Sequence, residues 1–185
     1  MADYSLLAKQ ITSLAEVDAH WLPVLSNAAA LLWDALDDIN WAGFYLVDFA
    51  TVVGSGAEPD AGAEPDAGAA PSTGAAPSTH ELRTPELRLG PFQGKVACVR
   101  IPFGRGVCGT AAATKTSQLV EDVHQFPGHI ACDSASNSEV VVPIFKDGQV
   151  VGVLDIDSPN VARFTQEDLA GLEQVVKALE SCTNF

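Results

Sequence analysis

The 185-residue chain carries 24 acidic against 10 basic side chains, a net charge of −14, which argues against nucleic acid or an anionic membrane as partner, since both require a basic face. Its length is that of one compact domain, and 47% hydrophobic residues are enough to build a single core. No apolar run nears the roughly 20 residues of a membrane-spanning helix, and the start, Met-Ala-Asp-Tyr-Ser, lacks a basic stretch followed by an apolar one. The expectation is a cytoplasmic protein whose four cysteines act as reduced thiols, metal ligands or redox catalysts, because a reducing compartment does not keep structural disulfides.

In chain order, Leu7, Ile11 and Leu14 fall at helical spacing between Ser5 and Glu16. Trp21, Val24, Leu25, Ala28, Leu32 and Leu36 then recur at i, i+3, i+4 and i+7, which predicts a longer amphipathic helix with Trp21 and Trp33 packed in the core. Asn40 to Val47 is short and aromatic and reads as a buried strand. Trp41 and Tyr45, four apart, share one face of it and either wall a pocket or fill core.

Four hexapeptides follow from Gly56 to Thr79, Gly-Ala-Glu-Pro-Asp-Ala twice and Gly-Ala-Ala-Pro-Ser-Thr twice. Almost without large apolar side chains, they cannot offset chain entropy, so the domain is expected to span residues 1–185 with a solvated insertion at about 54–82. Glu86–Leu89 and Val96–Ile101 read as strands joined by a Gly-Pro-Phe-Gln-Gly-Lys turn, which puts Cys98 on a strand. Gly104-Arg105-Gly106 breaks that strand, and a short alanine-rich helix from Val107 to Lys115 carries Cys108 in its first turn.

Ser117–Glu121 is a brief strand candidate, and the irregular stretch Asp122–Ser138 after it contains His124, His129 and Cys132. Val140–Phe145 and Val150–Ile156 form a hairpin around Asp147-Gly148. Thr165 to Asp168 is a capping box by residue type ahead of a closing helix through Leu169, Leu172, Val175, Val176 and Leu179, in whose frayed end Cys182 is a bystander. His20 and His80 read as surface residues.

Three thiols thus crowd between positions 98 and 132. A thiol reacts as its thiolate, so the cysteine to look for is one whose surroundings lower its pKa. Cys108 has a helix N-terminus and Arg105; Cys132 has His124 and His129 in the same loop; Cys98 has neither. A zinc site from Cys98, Cys108, Cys132 and a histidine is disfavoured because no Cys-x2–4-Cys knuckle is present. Gly-Arg-Gly-Val-Cys-Gly lacks the Gly-Lys-Ser/Thr ending of a phosphate loop. Asp155 and Asp157 share one face of the last strand, which meets either solvent or a polar site.

The motifs Asn-Trp-Ala-Gly-Phe-Tyr-Leu (40–46), Leu-Gly-Pro-Phe-Gln-Gly-Lys (89–95), Ala-Cys-Val-Arg-Ile-Pro (97–102), Gly-Val-Cys-Gly-Thr-Ala (106–111), Phe-Pro-Gly-His-Ile-Ala-Cys-Asp (126–133) and Ser-Asn-Ser-Glu-Val-Val-Val-Pro (136–143) resemble those of the free methionine-(R)-sulfoxide reductases. That resemblance implies an α+β fold, a single GAF-like domain with a central, largely antiparallel sheet flanked by N- and C-terminal helices. It implies reduction of free methionine sulfoxide, R at sulfur, with thioredoxin as reductant, NADPH acting indirectly through thioredoxin reductase, no bound metal or cofactor, and a homodimer through the N-terminal helices.

Carried over, the family's cysteines fall on Cys98, Cys108 and Cys132, its aromatic wall on Trp41 and Tyr45, and its carboxylates on Glu139, Asp155 and Asp157. The expectation is that Cys132 attacks and that Cys98 or Cys108 resolves it. The insertion is the one departure from the family's pattern. The alternative is a GAF sensor that binds a small ligand without turnover.

Overall fold

The computed structural model describes residues 2–47, 85–128 and 134–185. The hexapeptide repeats, His80, His129 and Cys132 lie outside the described residues. Two helices open the chain, α1 (Tyr4–Ala15) and α2 (Trp21–Ala35). Asp3 accepts the Leu6 N–H and caps α1, and the His20 ring accepts the Leu22 N–H at the start of α2. Both helices bury one apolar stripe, Leu7 and Ile11 from α1 and Val24, Leu25, Ala28 and Leu32 from α2. Contrary to the sequence expectation, Trp33 is 40% exposed. It flanks that stripe at its edge, whereas Trp21 is half-buried against the core.

Strands β1 (Trp41–Val47), β2 (Glu86–Gly94), β3 (Arg100–Pro102), β4 (Gln118–Val120), β5 (Ser138–Lys146) and β6 (Gln149–Ser158) form one sheet in the order β3-β2-β1-β6-β5-β4. Every pairing in it is antiparallel. The β5–β6 hairpin turns at Asp147-Gly148, both with positive φ (50° and 76°), as a tight primed turn requires.

The region after Leu89 differs from expectation. Gly-Pro-Phe-Gln-Gly does not turn but continues β2 to Gly94, paired with β1 through a register shift between Gly43 and Tyr45. Pro91 is tolerated because it falls in that irregularity and beyond the Glu86–Arg88 stretch paired with β3, so no ladder asks for its missing N–H. The second strand shrinks accordingly to Arg100–Pro102, and Cys98 sits in an irregular connection rather than on a strand.

The sheet separates two apolar layers. Even-numbered β6 residues such as Leu154 and Ile156 face α1, α2 and the closing helix α4 (Gln166–Cys182). On the other face, Val153 packs with Trp41, Tyr45, Val141 and the short helix α3 (Gly106–Thr114). The capping box of α4 forms as expected: Thr165 and Asp168 exchange side-chain-to-backbone hydrogen bonds at 2.8 and 3.2 Å. The buried Tyr4 hydroxyl also donates to Asp168 Oδ1 at 2.6 Å, which ties α1 to the start of α4. Cys182 ends α4, half-buried and in the opposite apolar layer from Cys98 and Cys108.

Candidate active site

The face of the sheet under α3 carries the residues of interest, and strand register explains why they meet. Asp157 pairs with Trp41 on one side and with Glu139 on the other, giving a row Trp41–Asp157–Glu139 across β1, β6 and β5. The next same-face row is Gly43–Asp155–Val141. Successive same-face positions are two apart, so the motifs of three separate segments converge on one patch.

Trp41 and Tyr45 are both buried and stack with ring centroids 5.7 Å apart. Phe92 of β2 also stacks with Trp41 at 5.2 Å, and Trp41 Nε1 donates to the Lys95 carbonyl. The aromatic wall therefore has three rings, the third unrecognised because Phe92 read as part of a turn. Gly43 sits between the first two. A Cβ there would run into Phe92 Cβ and come within 2.7 Å of the Trp41 ring, so the stack requires glycine at this position.

Against this wall lies a carboxylate pair. Glu139 and Asp155 are both buried at 6% exposure and lie side by side. The Cys108 Sγ approaches Glu139 Oε1 at 3.8 Å, and ligand atoms of Cys108, Glu139 and Asp155 all lie within 4.8 Å of one another. Among the described residues neither carboxylate forms an ion pair with Lys or Arg. Asp155 Oδ1 is buried with no hydrogen-bond partner there.

The electrostatic consequences follow from burial first. Desolvation pushes Asp155 up to about 6, and desolvation together with the Asp155 charge holds Glu139 well above the usual carboxylate range. The pair thus shares a proton near neutral pH while keeping one negative charge. Tyr45 is raised by burial and then by Asp155, so its phenol stays protonated.

Cys108 corrects the sequence reasoning. Its place in the first turn of α3 is as expected, yet Arg105 is solvent-exposed and the thiol is raised well above its ordinary value, by burial first and then by Asp155 and Glu139. Full desolvation and two carboxylates outweigh the partial positive charge of a helix N-terminus. Cys108 is a free thiol, whereas Cys98 is disulfide-bonded. His124, expected near the Cys132 thiol, is exposed and engaged by Asn137 Oδ1 at 3.0 Å.

Such a sheet, with helices on one face and a short helix over a polar cup on the other, defines a GAF domain. The sequence model of the GAF domain family matches residues 24–182. The chain is 46% identical over 177 residues to the free methionine-R-sulfoxide reductase of Escherichia coli (strain K12), covering 96% of this chain and 86% of that one. The fold resembles the reduced form of fRMsr of Staphylococcus aureus (TM-score 0.77, 45% identity, 100% and 97% of the two chains). It likewise resembles free methionine-R-sulfoxide reductase from Neisseria meningitidis in complex with its substrate (TM-score 0.75, 39% identity, 97% and 87%). The chain belongs to the free methionine-(R)-sulfoxide reductases, a family of oxidoreductases built on the GAF fold.

Proposed function

We propose that this protein reduces free L-methionine-(R)-S-oxide to L-methionine through a cysteine sulfenic acid and an intramolecular disulfide that thioredoxin reopens. The observation that carries the reading is the buried Glu139–Asp155 pair, with no cation beside it among the described residues and an unpartnered Asp155 Oδ1, against the Trp41–Tyr45–Phe92 wall. A buried negative charge left without a partner is costly and calls for a cation from the ligand. The α-ammonium of a free amino acid supplies one, and a peptide-bound methionine does not. Flat aromatic faces suit the S-methyl group.

In this reading Cys132 is the nucleophile and Cys98 resolves it, consistent with the disulfide at Cys98 and with the raised, free thiol of Cys108. The Cys132 sulfur attacks the sulfoxide sulfur and the proton shared by Glu139 and Asp155 goes to the sulfoxide oxygen. Methionine leaves and Cys132 retains the oxygen as Cys–SOH. Cys98 then attacks that sulfenic sulfur, a disulfide forms and water departs. Thioredoxin restores both thiols by exchange, taking its own two electrons from NADPH through thioredoxin reductase.

No bound metal or cofactor takes part, because thiols carry the electrons. A cytoplasmic setting fits such a cycle. No helix of the described residues is long and apolar enough to cross a membrane. A homodimer across α1 and α2 would cover exposed Leu6, Leu22 and Trp33.

Substrate form is the test. With dithiothreitol as reductant, free methionine sulfoxide should be reduced and N-acetyl-methionine sulfoxide should not. Equal rates on the two would remove the ammonium from the argument.

A further inference from the structure

The connection from β2 to β3 contains a feature that catalysis does not use. Val96 and Val99 are 88% and 65% exposed, and they flank the disulfide-bonded Cys98 at two residues before and one after. Exposed valines are common singly. Two of them bracketing a disulfide cysteine within four residues are not explained by the core, which Ala97 and Cys98 reach and they do not.

The segment is held at both ends. The Leu89 N–H donates to the Val99 carbonyl at 3.0 Å, and the Lys95 carbonyl accepts from Trp41.

We propose that the Lys95–Arg100 segment is the docking surface for a protein dithiol reductant, one with an apolar rim around its reactive cysteine. This rests on the redox cycle proposed above. The rim covers Val96 and Val99, which orients the partner's thiolate toward the Cys98 disulfide. That thiolate attacks one sulfur of the disulfide, the S–S bond breaks, and the other sulfur leaves as a thiolate, which takes up a proton. The partner's second thiol then attacks the resulting mixed disulfide. Both cysteines of this chain are thereby reduced, and the partner leaves with its own two sulfurs joined.

A small thiol needs no such surface, so the two reductants can be set against each other. The variant V96D/V99D places charge on positions already in water. Its thermal unfolding should therefore match wild type. With dithiothreitol its turnover of free methionine sulfoxide should stay within about twofold of wild type.

With thioredoxin, its reductase and NADPH, the KM for thioredoxin should rise at least about tenfold, since charged groups at the centre of a small apolar contact are poorly tolerated. An unchanged KM for thioredoxin overturns the docking surface and leaves the enzyme reading intact. A parallel loss with dithiothreitol also overturns it, because the valines would then serve the site or the fold. Wild-type protein inactive with both reductants would overturn the redox cycle and the docking surface together.

Discussion

Asp155→Asn should make the protein more stable at pH 8 and less able to hold its substrate. In the folded chain Asp155 is pushed up to about 6 by burial, against roughly 3.9 for an aspartate in an unfolded chain. Between those values the folded state keeps a proton that the unfolded state has released. Stability therefore falls as pH rises across the window and levels off above it. Two pKa units correspond to about 3 kcal/mol, present in full at pH 8 and absent below about pH 4. An amide of the same shape cannot ionise and still reaches Glu139, so it relieves that cost.

Urea unfolding in one redox state at the two pH values measures the effect. The variant should gain about 2–3 kcal/mol over wild type at pH 8 and nothing at pH 3.5, while the KM for free methionine sulfoxide rises about tenfold or more as the ammonium loses its counter-charge. A loss of stability at pH 8, or an equal gain at both pH values, would refute the claim that the site stores an uncompensated charge.

Two further outcomes follow from the same geometry. Gly43→Ala should displace Trp41 or Phe92, because the added Cβ meets both; a fall in kcat/KM of about tenfold or more is expected, with a loss of tryptophan–ligand fluorescence response, and unchanged kinetics would show that the three-ring stack is not the substrate wall. Cys132→Ser, given one equivalent of substrate and no reductant, should release no methionine, whereas Cys108→Ser should still release it. Stoichiometric release by Cys132→Ser would move the nucleophile to another cysteine.

Local chemistry made much of this fold readable. The Asp147-Gly148 turn, the Thr165–Asp168 box and the aromatic β1 each carry their signal within a few residues, and all three formed. What misled was local chemistry overridden by a neighbour. Gly90-Pro91 reads as a turn, but pairing with β1 and its register shift absorbs the proline, which lengthens β2, removes Cys98 from a strand and brings Phe92 onto Trp41.

Cys108 shows the same limit in electrostatics. A helix N-terminus is visible in sequence, but the burial and the carboxylates that raise the thiol come from β5 and β6, more than 30 residues away in the chain. Asp155 and Asp157 could be placed on one face by parity alone. Only the three-strand register revealed that Glu139 and Trp41 share that face and are buried there.

The central claim is turnover of one epimer of a free amino acid, and a single stereochemical measurement addresses it. Purified protein is mixed with racemic free L-methionine sulfoxide, thioredoxin, thioredoxin reductase and excess NADPH, and the residual substrate is resolved by chiral chromatography. NADPH oxidation should stop when half of the sulfoxide is gone, one NADPH per methionine formed, with only the S epimer remaining. Binding without NADPH oxidation would instead identify a ligand-sensing GAF domain, and loss of the S epimer would contradict the proposed substrate.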